Sequence, residues 1–200
     1  MNIPKVLSTR ERMKILENII FKEGMFGVCE TAKELGLSKS LVSQYFDLLL
    51  KEKIIKRIGR KFKVRDGAIV RSLKILFNIQ RVKPNAFKKY KSIVAVGLYG
   101  SCAKGTNTES SDVDIWIKVD KIDNNLNTKL ASELRKRVPN ANILWLDNKR
   151  IKELKKKDPL FYYALYFGSI ILIRIHCLHQ CGQTAKAGAY QKDSKVKAKS

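Results

Sequence analysis

The residues best suited to chemistry in this 200-residue chain fall in one stretch, Ile93 to Val119. A short apolar run ends at Leu98, Gly100 and Ser101 follow, and after ten more residues comes an Asp-x-Asp pair, Asp112 and Asp114, at the start of a second apolar run. Successive side chains on a β-strand point to opposite faces, so the two aspartates share one face while Val113, Ile115 and Ile117 share the other. Two carboxylates held side by side repel, and a hard divalent cation relieves that repulsion; Mg²⁺ is commonly held by one or two carboxylates together with phosphates. A strand that stops at a glycine and opens a helix at Ser101 presents free backbone N–H groups, which favour an anion. Gly100 permits close approach of the backbone, and the Ser101 hydroxyl adds a donor. Either motif alone is common and indicates little. Their order, between two apolar strands, points to a metal-and-phosphate site.

Several elements must position these residues. Residues 93–98 and 113–119 read as strands, 124–138 as a helix with Leu126, Leu130 and Leu134 spaced for burial, and 141–146 as a third strand. A basic helix over 148–157, an aromatic-rich helix over 159–167 and an apolar strand over 169–173 follow. This alternation predicts a small α/β domain with a mixed sheet and the site at one edge.

The Gly-Ser, ten-residue, Asp-x-Asp pattern resembles the signature of the polymerase-β-like nucleotidyltransferases, and the spelling GSCAKG…SSDVDIWI is most similar to the small "minimal" members from bacteria and archaea. The resemblance implies that Gly100 and Ser101, with Lys104 and Ser111, hold the phosphates of an NTP, and that Asp112 and Asp114 are catalytic and hold Mg²⁺ or Mn²⁺. It further implies transfer of a nucleoside monophosphate to a hydroxyl, with pyrophosphate leaving, and a partner protein among the candidate acceptors. Active members carry a third acidic residue on the strand after the Asp-x-Asp strand; here the matching position is Asn142, which can offer a metal a carbonyl oxygen but cannot act as a base. Asp147, the nearest carboxylate, also fits a helix cap. The alternative is therefore a DNA-binding regulator whose nucleotidyltransferase domain has lost catalysis and serves as a nucleotide sensor or protein-contact surface.

Upstream, Ser8 and Glu11 fit a capping box for a helix reaching residue 22, with Met13, Leu16, Ile19 and Ile20 on one face. Residues 30–35 form a short helix ended by Gly36, and Ser38 caps a third helix reaching residue 53, whose stripe is Leu41, Val42, Tyr45, Leu48 and Leu49. The run IIKRIGRKFKV then reads as a hairpin about Gly59-Arg60, with Ile54, Ile55, Ile58, Phe62 and Val64 inward. This order resembles a winged helix-turn-helix. Lys39, Ser40, Ser43 and Gln44 on the third helix, with Arg57, Arg60 and Lys61 on the hairpin, are its candidate DNA contacts. The fold class expected is thus α+β: a winged helix-turn-helix domain over 1–65, a helical connector over 66–83 with Ile69, Leu73, Leu76 and Phe77 on one side, a nucleotidyltransferase domain over 84–175, and a disordered basic tail over 176–200.

Composition sets the outer bounds. Forty-one basic residues against 18 acidic ones leave a net charge of +23, a field that attracts nucleic acid or another polyanion. No apolar run is long enough to span a membrane, and the N-terminus lacks a secretory segment. Four cysteines are too few for a disulfide framework, so a reducing, cytoplasmic setting is expected, with a dimer compatible with the pattern. The group His176, Cys177, His179 and Cys181 lacks the second ligand pair that structural zinc sites use.

Overall fold

The structure, a computed structural model, describes residues 2–121 and 123–175. The expected tail and the His/Cys group within it lie outside the described residues.

The chain opens with a short helix that its sequence did not signal, α1 (Ile3–Val6), followed by α2 (Arg10–Ile20), α3 (Val28–Leu35) and α4 (Lys39–Lys51). Thr9, rather than Ser8, caps α2 by accepting from Arg12 N. Ser8 instead donates to Lys5 O, because α1 draws it into the preceding turn. Gly36 takes the left-handed conformation expected of it, φ 65°, and Ser38 caps α4 through Leu41 N. The strands β1 (Ile55–Ile58) and β2 (Lys61–Val64) form the expected hairpin, pairing Ile55 with Val64 and Ile58 with Lys61. Its sequence-based facing holds for Ile54, Ile55 and Phe62 but not for Ile58, which stays exposed near the hairpin tip.

A first core gathers Val6, Ile15, Leu16, Ile19, Ile20, Tyr45, Phe46, Leu49, Ile54 and Phe62. Tyr45 OH donates to Val6 O at 2.9 Å, tying α4 to α1. This core is closed by α5 (Ala68–Val82), which contributes Val70, Leu73 and Phe77, and the same helix sends Ile79 and Val82 into a second core. Ile69 and Leu76, expected on the packed side, are exposed instead. The buried face of α5 is rotated because Asn78 is also inside, hydrogen-bonded to a loop of the second half.

The second core lies against one face of a four-stranded mixed sheet of order β5-β4-β3-β6. After a 3₁₀ turn (Pro84–Lys89) come β3 (Ile93–Leu98), α6 (Gly100–Lys104), β4 (Val113–Val119), α7 (Asn124–Arg135), β5 (Ala141–Leu146), α8 (Asn148–Lys157), α9 (Pro159–Gly168) and β6 (Ile170–Arg174). Antiparallel pairs join β3 to β4 and to β6, while β4 and β5 run parallel, as the crossover through α7 requires. Val113, Ile115, Ile117 and Val119 alternate into this core with Leu130 and Leu134 of α7. The opposite face is covered differently: of α9's apolar side chains only Leu165 is buried, while Leu160, Tyr163, Tyr166 and Phe167 are exposed.

Candidate active site

Asp114 sits at the head of β4, half-buried, on the sheet face away from the α7 core, and Asp112 precedes the strand by one residue and is exposed. The Gly100 turn lies directly against it. A Cβ built at Gly100 would overlap Asp114 Oδ2, and the backbone there has φ +65°, so glycine is required both by conformation and by the carboxylate's closeness. Tyr99 N donates to Asp114 O at 3.1 Å, which fixes the turn to the strand. The first residues of α6 have no side-chain cap, leaving backbone donors of the turn without a side-chain acceptor.

Burial pushes the Asp114 carboxyl above the usual carboxylate range; the Asn142 amide pulls it back, and the Asp112 charge adds to the rise. The Tyr99 phenol is likewise raised, first by burial and then by the Asp114 charge. Asn142 is the direct cross-strand partner of Asp114 in the parallel β4–β5 register, and its Nδ2 donates to Asp114 Oδ1 at 3.1 Å. The residue that the resemblance aligns with the third acid therefore lies beside Asp114, and it is an amide. Asp147 is a helix cap, accepting from Arg150 N at 2.7 Å.

The donor set is hard: two carboxylates, with an amide whose carbonyl oxygen would face them after half a turn about its Cβ–Cγ bond. Among the described residues no group of three or more His, Cys, Asp or Glu comes together, so the acidic pair would need phosphate oxygens to complete a cation's shell. That donor chemistry suits a small hard cation of the Mg²⁺ type.

The other residues singled out from the sequence are distributed unevenly. Ser101 is half-buried in the first turn of α6. Lys104 is exposed at the C-terminal end of the same helix. Ser111 closes the loop before Asp112, its Oγ accepting from Thr108 N at 2.9 Å, while its carbonyl accepts from Asn140. In the N-terminal region Lys39, Ser40, Ser43 and Gln44 are all exposed on one stretch of α4. Arg57 and Arg60 are exposed on the hairpin, and Lys61 pairs with Glu30 at 3.1 Å.

The residues that brace the site from behind carry no signal in the sequence pattern. Asn78 and Asn107, both buried, exchange side-chain hydrogen bonds at 3.0 and 3.1 Å, and Asn78 Nδ2 also donates to Cys102 O. Lys74 Nζ donates to Asn107 O at 2.7 Å. Gly105, φ +67°, ends α6 directly against the Arg71 carbonyl of α5. The loop joining the Gly100 turn to the aspartates is thus held by α5 at several points. Long-range pairs of polar residues leave no periodic signal; only the left-handed Gly105 could have marked the close approach.

Comparison with known proteins bears on this half of the chain. Residues 79–175 match the family model described as polymerase beta, nucleotidyltransferase, and this stretch is a nucleotidyltransferase-like domain. It takes in the last turn of α5 together with the entire sheet. Among solved structures, one from Sulfolobus solfataricus, described as a candidate nucleotidyltransferase, is 15% identical over 55% of this chain and 90% of its own, with a TM-score of 0.36. No curated protein matches the sequence. Among the described residues no helix is long and apolar enough to cross a membrane.

Proposed function

We propose that this protein transfers a nucleoside monophosphate from an NTP to a hydroxyl acceptor, and that its N-terminal region is a winged helix-turn-helix that binds DNA. The observation carrying the first part is the packing of the Gly100 turn against Asp114, which sets backbone donors beside the paired carboxylates. In this reading Gly100, Ser101 and Lys104 receive the phosphates and Ser111 shapes the loop above them. Asp112 and Asp114 hold Mg²⁺ or Mn²⁺, which when bound neutralises the developing phosphate charge. The acceptor oxygen bonds to the α-phosphorus, the bond from that phosphorus to the α–β bridging oxygen breaks, and pyrophosphate departs with the electron pair. The hydroxyl proton passes to water, since Asn142 has no basic atom. Gly100 and Asp114 align the reactants, and alignment supplies most of what such a transfer asks of a protein.

Protein incubated with α-labelled NTP and Mg²⁺ or Mn²⁺ is expected to label itself, a co-purified protein or an added hydroxyl compound. Asp112→Ala with Asp114→Ala removes the labelling; undiminished labelling in that variant would overturn the assignment.

The division of the chain follows from the same reading: a DNA-binding head over 1–65, the connector over 66–83, the transferase domain over 84–175, working in an NTP-containing compartment such as the cytoplasm. Exposed Lys39, Ser40, Ser43 and Gln44 lie along the start of α4 as a recognition helix would present them, with Arg57, Arg60 and Lys61 on the adjacent hairpin for phosphates. One observation favours a second reading, in which the transferase domain is a nucleotide sensor for a DNA-binding regulator: the Asn142 amide engages Asp114 where a carboxylate would otherwise stand. Salt-sensitive duplex binding without NTP consumption is the result that selects it.

A further inference from the structure

The sheet face that carries Asp114 continues along β4 to Trp116 and Lys118, and there it opens into a cavity of about 540 Å³. The cavity lies between β3, β4 and β6 below and α8 and α9 above. Its volume falls in the range of small-molecule sites. Trp116, Tyr162 and Tyr166 give it aromatic walls, and Lys118 and Arg174 supply positive charge. Among the described residues no acidic side chain lines it, and neither cation is in an ion pair. The Trp116 indole lies over Gly97, in the space a Cβ there would fill, so a glycine on β3 is what lets the ring take this position. Trp116 is two residues beyond Asp114, or about 7 Å along the strand.

An apolar gap left by imperfect packing would need no charge. Two cations with no ion pair among the described residues, beside three aromatic rings, instead describe a ligand with a planar ring and an anionic group, because rings stack on aromatic faces and Lys and Arg meet phosphate oxygens. We propose that this cavity is a binding site for a nucleoside monophosphate, separate from the Gly100 turn. The proposal deepens the transferase reading by giving the same sheet face a second nucleotide, although binding itself does not depend on transfer.

The probe is adenosine 5′-monophosphate, with adenosine and inorganic phosphate as its two halves. In a Trp145→Phe chain, where Trp116 is the remaining tryptophan, adenosine 5′-monophosphate is expected to quench fluorescence saturably, and calorimetry on the unaltered chain should give the same affinity. Lys118→Ala with Arg174→Ala should weaken binding at least tenfold while the melting temperature stays within a few degrees. Magnesium tripolyphosphate, which can fill a phosphate turn but brings no ring, should leave the affinity unchanged. Equal binding of inorganic phosphate, equal binding of adenosine, displacement by tripolyphosphate, or indifference to the double substitution would each overturn the proposal. Asp112→Asn with Asp114→Asn should keep the binding and lose transfer, so failure of the transferase reading and failure of this one give different results.

Discussion

The two faces of the sheet are built to different standards. Toward α7, Val113, Ile115, Ile117 and Val119 are at most 4% exposed and pack among Leu130, Leu134 and Val82. Toward α8 and α9, the same strand presents Asp114, Trp116 and Lys118, all half-buried, under a helix with one buried side chain. Strand periodicity forces this division: each residue given to the core fixes its neighbour on the other side. The tight face holds the register, and that register places Asp114, Trp116 and Lys118 side by side on the looser face. In the proposed function, stability and chemistry are therefore carried by alternate residues of one strand.

Substitutions on alternate residues should separate the two. The largest effect belongs to Asp112→Ala with Asp114→Ala, for which label transfer from NTP should fall at least about 10³-fold, roughly 4 kcal/mol in barrier, with the melting temperature retained. One residue along, Ile115→Ala should cost about 2–5 kcal/mol in denaturant unfolding, as expected for a fully buried side chain. Gly105→Ala tests the brace behind the site: a left-handed backbone against the Arg71 carbonyl should cost about 1–3 kcal/mol and lower transfer with it. The smallest effect is electrostatic. Because the folded Asp114 carboxyl lies above its unfolded value, its cost to stability is fully present above the folded midpoint, shrinks as pH falls through it, and is absent below the unfolded one. Asp114→Asn should therefore raise stability at neutral pH, with the gain vanishing in acid. Asn142→Ala should shift the Asp114 midpoint further up in a carboxyl NMR titration.

A further contrast sets the sheet against the N-terminal helices. Charge reversal at Lys39 and Arg60 should weaken duplex binding and flatten its dependence on salt by about one unit of slope per lost phosphate contact, while NTP chemistry is untouched. Unchanged binding would remove DNA from the proposed function.

Part of the site was legible because strand alternation is rigid: spacing put Asp112 and Asp114 on one side, the resemblance pointed to Asn142, and the β4–β5 register puts Asn142 beside Asp114, while Asp112 lies one residue before the strand. Gly100 was legible as a turn. The facing of α5 was not, because Ile69, Val70, Leu73, Ile75, Leu76, Phe77 and Ile79 spread apolar residues around the helix, and the choice among them is made by Asn78 reaching Asn107. Ile58 misled for a similar reason, since alternation names a face but not whether anything covers it.

Helix α5 is shared property: Leu73 and Phe77 complete one hydrophobic interior, while Ile79 and Val82 complete the next. A cut through this chain at residue 66 or at residue 83 would strip one fragment of a wall it cannot replace. Heating should accordingly melt both halves in a single calorimetric peak, and a molecule that grips either end will be felt as added heat resistance at the other.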